Sequence, residues 1–285
     1  MSQRQQRQQY DELLKLLKRQ LLELDKVEQQ LLELDKVEQR VLAEEKRQFS
    51  MLERVQRRTI ECSRYASEAV WAEVFNNTIS DSKWLYNKSF AAGRWAVGYP
   101  YLYVMYRVLN ETQPKHILEL GLGESTKMIA QYCAANHEAE HYVVESDPDW
   151  VAFFNQTFKL PANSEVICLG YEMTPYKETE SVRVFKGFEK KFAGKKFDFI
   201  SIDAPYGGDM KQYARIDILS ILPDCIGENF VIMIDDCERS GETHTIDEIE
   251  GKLKDVGILY KVGRYCGKKD LILITAVHMG FLTSM

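Results

Sequence analysis

Two glycines near the middle of the sequence are spaced to bind a nucleotide. An apolar run, HILEL, is followed by Gly121 and Gly123. Such a run is typical of a buried parallel strand, and glycines let the backbone turn sharply and approach a ligand. Ser125 and Thr126 are typical N-cap residues, so they predict a helix starting near Lys127, whose first N–H groups would face the same ligand. Strand, glycine turn and helix start together predict a nucleotide-binding pocket.

The acid Glu145 ends the next apolar run, HYVVE, 24 residues beyond Gly121. A carboxylate at this place in a βαβ unit accepts hydrogen bonds from ribose hydroxyls. Nicotinamide dinucleotide and S-adenosylmethionine both fit that arrangement. The dinucleotide fingerprint needs a third glycine where this sequence has Thr126, whereas Glu119 at the end of the first strand suits a ligand with a positive sulfonium and ammonium. The pattern therefore favours S-adenosylmethionine.

Three acids follow two further apolar runs. Asp203 follows KFDFISI, and Asp235 and Asp236 follow NFVIMI. In a doubly wound sheet the carboxyl ends of neighbouring strands line the ligand crevice, and two adjacent like charges at a buried edge need a cation or a proton to offset them. The acids are candidates to take a proton from a hydroxyl, directly or through a divalent metal that lowers its pKa. Helix capping and solvation are the plainer roles for such acids.

Other candidates rest on weaker signals. Tyr171 and Glu172 follow a third apolar run, EVICLG, where the crevice is expected. His244 is a candidate base in a polar segment, predicted to be a loop, although a lone histidine there is more often solvated. The aromatic segment with Trp95 and Tyr99 either closes over a cofactor or is a packed crossing.

The pattern from Glu119 to Ser125, E-x-G-x-G-x-S, resembles the glycine motif of class I S-adenosylmethionine-dependent methyltransferases and departs from it at the last glycine. Near the C-terminus a short GKKD turn joins two apolar runs, which must therefore be antiparallel strands. Methyltransferase sheets of this class end in such a hairpin, whereas dehydrogenase sheets are parallel throughout. The resemblance implies an α/β fold, a Rossmann-like doubly wound sheet with a terminal antiparallel hairpin.

Four blocks resemble polysaccharide methyltransferases, including glucuronoxylan 4-O-methyltransferases, and resemble related bacterial surface-glycan methyltransferases more closely. They are Gly121–Ser125, Glu145–Trp150, Ile202–Gly207 and Ile234–Arg239, in matching order within residues 85–277. The resemblance implies methyl transfer to a sugar hydroxyl and an acceptor site near the Asp203–Gly207 loop. The catechol O-methyltransferase family has divalent-metal ligands Asp, Asp and Asn at the positions of Asp203, Asp235 and Asp236. The third is Asp here, so the need for a metal stays open.

The predicted site therefore has two parts. The cofactor-binding residues are Glu119, Gly121, Gly123, Glu124, Ser125, Glu145, Ser146, Tyr171 and Glu172, and the catalytic candidates are Asp203, Asp236, Asp235 and His244.

The first 92 residues contain neither glycine nor proline, so nothing in them breaks a helix. An apolar seam at spacings of three and four residues is formed by Leu14, Leu17, Leu21, Leu24, Val27, Leu31, Leu34, Val37 and Val41. Within it, Leu21–Gln30 recurs at Leu31–Arg40 with one change. A lone helix cannot bury such a seam. We predict a coiled-coil oligomerisation segment over residues 1–60, which forms a homo-oligomer, and a methyltransferase domain with a helical lead-in over 61–285. The coil could also act as a length ruler for a polymeric acceptor.

The net charge of −6 gives no indication of nucleic acid as a partner. Six cysteines without a CxxC pair predict reduced thiols, and no apolar run reaches membrane-spanning length, so we expect a cytoplasmic protein without a transmembrane segment. The favoured function is O-methylation of a sugar hydroxyl on a surface glycan or its precursor. The alternatives are a non-catalytic methyltransferase-like scaffold and a metal-dependent small-molecule O-methyltransferase.

Overall fold

The chain divides into two compact units, Met1–Ile60 and Glu61–Met285, and the computed structural model describes residues 3–285. The helices are α1 (Gln3–Ile79), α2 (Tyr99–Thr112), α3 (Glu124–Ala135), α4 (Pro148–Thr157), α5 (Phe188–Phe192) and α6 (Ser240–Asp255). The strands are β1 (His116–Leu120), β2 (Glu140–Glu145), β3 (Ser164–Cys168), β4 (Tyr171–Tyr176), β5 (Thr179–Phe185), β6 (Phe197–Ile202), β7 (Ile226–Ile234), β8 (Tyr260–Cys266) and β9 (Asp270–Ala276).

The first unit is helical over its described residues, and its apolar seam is exposed. The nine seam side chains from Leu14 to Val41 are 44% to 68% exposed. The surface ion pair of Glu33 and Lys36, at 2.9 Å, is one turn apart on the helix. Such pairs contribute only ~0.2–0.5 kcal/mol each, so they do not offset the exposure of nine large apolar groups.

Seven strands of the second unit form one sheet in the order β3-β2-β1-β6-β7-β9-β8. The pairs from β3 to β7 are parallel, while β9 runs antiparallel to both β7 and β8. The side chains of β9 are all buried, as are those of β1 after its first residue, which is the pattern of strands covered on both faces. The predicted doubly wound sheet with a terminal antiparallel hairpin is confirmed.

The long helix continues past the predicted coiled-coil boundary at residue 60 and ends at Ile79, although the first glycine is at residue 93. Ser80, Asp81 and Ser82 follow, and the Ser82 hydroxyl accepts a hydrogen bond from the Leu85 N–H at 3.2 Å. Short polar side chains of this kind compete with the helix for backbone groups, so the helix can end without glycine or proline.

Two elements beyond β3 differ from the sequence-based expectations. The residues after β3 form an extra antiparallel hairpin, β4–β5. The apolar residues near 213–222 indicate a helix from the sequence, but the structure has a single 3-10 turn there, Ile216–Ser220, which follows Arg215 with its left-handed φ of 59°.

The segment with His244 is not a loop but the start of α6, whose buried residues Ile246, Ile249 and Leu253 have helical spacing. All six cysteines are free thiols, three of them exposed. Within residues 3–285, none of the helices is long and apolar enough to cross a membrane.

Candidate active site

A cavity of about 550 Å³ lies at the carboxyl ends of β1, β2 and β6. In doubly wound sheets this edge is where ligands bind. The glycine turn after β1 and the acid that ends β2 lie on its lining, together with the loop after β6, the segment 91–97 and one side of α4. The described part of the chain thus brings the two halves of the predicted site to one cavity.

The glycine turn is built for close approach. Gly121 has a φ of 108°, and a Cβ there would lie 3.2 Å from the Cβ of Ala204, so a side chain is disfavoured on both counts. The N-cap of α3 is Gly123, whose N–H donates to the Thr126 hydroxyl at 2.8 Å. Ser125 and Thr126 therefore lie in the first turn of the helix and do not precede it as predicted, since α3 begins three residues earlier.

Glu145 faces the cavity in a fixed orientation. Its Oε2 accepts from the N–H of Leu122 at 3.2 Å, and its Oε1 accepts from those of Ser146 and Asp147 at 2.6 and 3.0 Å. The Ser146 hydroxyl also donates to Oε1 at 3.3 Å. Each carboxylate oxygen has about two lone-pair sites, so Oε1 is fully engaged and Oε2 keeps one lone pair for a ligand hydroxyl. Glu124, Ser125 and Ser146 also line the cavity.

Two aromatic rings beside Glu145 were not predicted as site residues. Trp150 and Phe153 on α4 stack with centroids 5.4 Å apart, and both line the cavity. The Trp150 indole donates to the Leu122 carbonyl at 2.7 Å, which fixes its plane. A flat apolar wall next to a carboxylate suits a purine ring next to its ribose. Aromatic residues one helical turn apart, directly after the acid, were the available signal.

Glu119 does not reach the cavity. Its side chain is 1% exposed, and its Oε2 lies 3.1 Å from Nε2 of His141 on β2. Side chains inside a strand project from the face of the sheet and not from its end, so Glu119 lies in the packed layer. The expectation that it contacts a positively charged ligand is corrected accordingly.

Three other candidates also lie away from the cavity. Tyr171 and Glu172 are on β4, where the Tyr171 ring is 5.4 Å from the Arg183 guanidinium. They were misplaced because the extra hairpin follows β3 directly. His244 is on α6, and its Nδ1 lies 2.5 Å from the Gln212 carbonyl oxygen. None of the three lines the cavity.

The three aspartates do come together, with one oxygen of each within 4.8 Å of the others. Asp203 follows β6, and Asp235 and Asp236 follow β7. Consecutive strand residues point to opposite faces, but Asp236 has a left-handed φ of 61°, which turns the chain at this point. Both adjacent side chains consequently join one cluster.

Protein cations neutralise this cluster. The buried Arg215 places Nη2 3.1 Å from Asp203 Oδ1 and 2.6 Å from Asp236 Oδ2. Lys269 places Nζ 3.2 Å from Asp235 Oδ2 and 3.3 Å from Asp236 Oδ1. Neither residue could be singled out from the sequence, because Arg215 precedes a 3-10 turn and Lys269 lies in the β8–β9 turn.

The donor set does not fit a divalent metal as it stands. Three carboxylates are ligands that Mg²⁺ or Ca²⁺ would accept. The oxygens that a metal would need are, however, already engaged by the ammonium of Lys269 and the guanidinium of Arg215. A metal ion would have to share the site with these two positive charges.

The titration of the cluster completes the charge balance. Burial, followed by the nearby charge of Asp203, raises the pKa of Asp235 to about 8 against the opposing charge of Lys269. Burial also acts on Asp236, but Arg215, Lys269 and Arg239 together lower its pKa below the ordinary value. With Asp235 neutral, the charges of Asp203, Asp236 and the buried Glu242 match the three cations Arg215, Arg239 and Lys269.

Asp203 is the acid that is open to the cavity. Its side chain is 20% exposed, against 2% for Asp235 and 3% for Asp236. Burial raises its pKa, an effect that the charges of Arg215 and Lys269 oppose. A carboxylate of raised pKa with an accessible edge is suited to accept a proton from a bound hydroxyl.

The mouth of the cavity has an exposed aromatic pair. Trp95 is 84% exposed and its ring centroid lies 6.1 Å from that of Tyr206. The Tyr206 ring lies against Gly208, where a Cβ would be 2.6 Å from the phenol oxygen. Arg183 donates two hydrogen bonds of 2.8 Å to Asp209, and its guanidinium carbon lies 5.8 Å from the centroid of the Tyr206 ring. We call Trp95, Tyr206 and Arg183 the mouth platform.

The aromatic segment before α2 thus has two roles. Trp95 lines the cavity, whereas Tyr99 begins α2 and packs its ring 6.0 Å from that of Phe75.

No protein-family model matches this chain, and a search of curated proteins finds no match. Similar solved structures include a putative caffeoyl-CoA O-methyltransferase from Staphylococcus aureus, at 14% identity, with 72% of this chain and 91% of that chain covered and a TM-score of 0.41. Another is an O-methyltransferase from Bacillus cereus in complex with SAH, at 14% identity, with 74% and 90% covered and a TM-score of 0.43. A third is an SAH-bound methyltransferase of Podospora anserina, at 15% identity, with 73% and 86% covered and a TM-score of 0.42. At identities this low, only the residues of the cavity bear on the function.

Proposed function

We propose that the protein is an S-adenosylmethionine-dependent O-methyltransferase that acts in the cytoplasm on a sugar hydroxyl of a surface glycan or its precursor. The observation that carries the proposal is a single cavity with the glycine turn and Glu145 on one side and the open carboxylate of Asp203 on the other. A ligand held by the first group would present its reactive end toward the second.

S-adenosylmethionine, held by the glycine turn and Glu145, would supply an activated methyl group on a positive sulfur and would leave as S-adenosylhomocysteine. The protein holds the methyl group and the acceptor hydroxyl in line, which contributes ~7–11 kcal/mol. Asp203 takes the hydroxyl proton, while Arg215 keeps its carboxylate in place.

The mouth platform supports a sugar as the acceptor. A tryptophan that is 84% exposed at the edge of a cavity leaves a large apolar face in contact with solvent. A pyranose ring presents an apolar face of C–H groups and a rim of hydroxyls. The first would stack on Trp95 and Tyr206, and the second would find the Arg183 guanidinium and the Asp209 carboxylate beside them.

The cofactor assignment is tested by calorimetry with S-adenosylhomocysteine and with nicotinamide dinucleotide. We expect the first to bind and the second not to bind. Glu145→Ala should weaken the binding of S-adenosylhomocysteine by ~1.5–3 kcal/mol, because a charge-assisted hydrogen bond is lost. Glu140→Ala, which removes an exposed carboxylate at the other end of β2, is the matched control and should bind as the wild type does. Binding of the dinucleotide alone would refute the proposal.

The two alternatives make different predictions. A non-catalytic scaffold would bind the cofactor yet transfer no label from S-[methyl-³H]adenosylmethionine to any acceptor. A metal-dependent small-molecule enzyme would lose activity in EDTA. The ion pairs of Arg215 and Lys269 with the aspartates argue against this alternative. Incubation with labelled cofactor and the host's glycan precursors, with and without EDTA, separates all three.

For the first unit we propose self-association through the apolar seam into a coiled coil, which makes residues 1–60 an oligomerisation segment and residues 61–285 the catalytic domain. The exposure of nine Leu and Val side chains supports this, because burying each would gain ~1.5–3 kcal/mol. Deletion of Leu31–Arg40 keeps the seam in phase and should leave the oligomeric state unchanged in light scattering. A monomer would show that the coil is marginal. A shift in the chain length of a polymeric product would favour the ruler role as well.

A further inference from the structure

We propose that Lys269 is a built-in cation that takes the place of a divalent metal in the aspartate cluster. The inference concerns the cluster itself, and only the measurement of methyl transfer in its test rests on the proposed function. Lys269 was not among the residues that the sequence singled out.

The position of the ammonium carries the inference. Its Nζ lies between Asp235 Oδ2 and Asp236 Oδ1, at 3.2 and 3.3 Å, and the side chain lines the cavity with only 12% exposed. The three aspartates alone are an oxygen cluster compact enough for a hard cation. Lys269 fills the open side of this cluster, and Arg215 bridges Asp203 and Asp236 on another.

The backbone around Lys269 is held on both sides, which fixes the point from which its side chain extends. The preceding N–H, of Lys268, donates to the Glu68 carboxylate at 2.9 Å. The following residue, Asp270, pairs with Arg64 at 3.1 Å and with Arg264 at 2.9 Å. Lys269 therefore extends toward the aspartates from a fixed turn between β8 and β9, unlike a lysine on a mobile surface segment.

The contacts around the cluster explain why the protein needs this cation. Arg215 and Arg239 reach Oδ2 of Asp236, whereas Lys269 reaches Oδ1 of Asp236 and Oδ2 of Asp235. Without Lys269 these two facing oxygens lose their ion-pair partner. An oxygen-rich site with excess negative charge attracts a divalent ion. The lysine therefore excludes the metal while it holds Asp235 and Asp236 in place.

The test is a Mn²⁺ titration of the full-length protein, with free Mn²⁺ measured by electron paramagnetic resonance. We expect wild type to show no site at the cluster and to keep its methyl transfer in EDTA. Lys269→Met should bind one Mn²⁺ at least about tenfold more tightly than wild type. A second change, Asp203→Asn in the Lys269→Met background, should remove the gained site.

Two further variants keep the inference falsifiable. Lys269→Arg retains a cation and should gain no Mn²⁺ site, so it remains informative if Lys269→Met folds poorly. Lys268→Met is the matched control, because its ammonium lies 4.9 Å from the Tyr65 ring centroid and outside the cavity. A wild-type Mn²⁺ site that the Asp203→Asn change removes would overturn the inference, as would a folded Lys269→Met protein without a gained site. Failure of the proposed function shows separately, as absence of S-adenosylhomocysteine binding.

Discussion

Asp203→Asn should lower kcat by about 10²–10⁴-fold, because the amide cannot take the proton that leaves the acceptor hydroxyl. The change keeps the shape of the side chain. Asp203 touches the glycine turn only through its backbone, its N–H donating to the Leu120 carbonyl at 2.9 Å. The Kd for S-adenosylhomocysteine, measured by calorimetry, should therefore remain within about twofold of wild type, well below the ~1.5–3 kcal/mol of a lost charged hydrogen bond.

Two variants define what this result means. Asp224→Asn makes the same chemical change at an exposed position outside the cavity and should leave kcat unchanged. Trp95→Ala removes the exposed ring of the mouth platform and should raise KM for the acceptor more than it lowers kcat. Unchanged turnover in Asp203→Asn would remove Asp203 from the mechanism.

The pH dependence gives the same prediction a second readout. Burial raises the pKa of Asp203 above that of an ordinary aspartate. Since only the ionised carboxylate accepts a proton, turnover should fall as the pH drops through this raised pKa. The residual activity of Asp203→Asn should lack that acidic limb.

The parts of the site that could be predicted are those specified by short continuous segments of the sequence. An apolar run followed by Gly121 and Gly123 specifies its own turn, and a run that ends in Glu145 or Asp203 places the acid at the strand end by geometry alone. Strand order follows from these local units, since right-handed crossovers leave few alternatives. The hairpin β4–β5 was not predicted, because a proline and exposed residues on both faces interrupt the alternation of apolar and polar residues that marks a strand.

The cationic residues that neutralise the aspartates could not be predicted from local sequence in the same way. Arg215 and Lys269 come from segments 54 residues apart, and neither belongs to a motif. The sequence did imply that something must offset the adjacent Asp235 and Asp236, but a metal, a proton and a protein cation satisfy that need equally. Only the fold shows that Arg215 and Lys269 lie beside these carboxylates. The prediction that Glu119 contacts the ligand gave too much weight to its place in a motif, since the residue lies inside β1 and one position before its end.

Replacement of Arg215 should cost more stability than any other single change in this cluster. The guanidinium is 3% exposed and bridges Asp203 and Asp236, with Glu242 3.7 Å away. Arg215→Met keeps the apolar stem and removes the charge, which leaves buried carboxylates uncompensated. Breaking a buried ion pair by removing one partner costs ~3–5 kcal/mol. For a domain of this size that corresponds to a lower Tm by roughly 6–20 °C in calorimetry.

The pH dependence of this loss distinguishes lost charge compensation from lost packing. In the wild type the pKa of Asp236 is held below its ordinary value, despite burial, by Arg215 and its neighbours, so its contribution to stability is present above the unfolded pKa and disappears as the pH falls. In Arg215→Met the same carboxyl should have a raised pKa in the folded state, so the variant should gain relative stability on protonation. The difference in Tm between the two proteins should therefore narrow from pH 8 to pH 5.

Arg264→Met provides the comparison, because this half-exposed guanidinium shares Asp270 with Arg64. Its loss should cost at most ~1 kcal/mol, as for surface ion pairs. If Arg215→Met lost no more than that, or lost the same amount at both pH values, the aspartate cluster would have to be well solvated. In that case neither the raised pKa of Asp203 nor the need for an internal cation beside it would follow from burial.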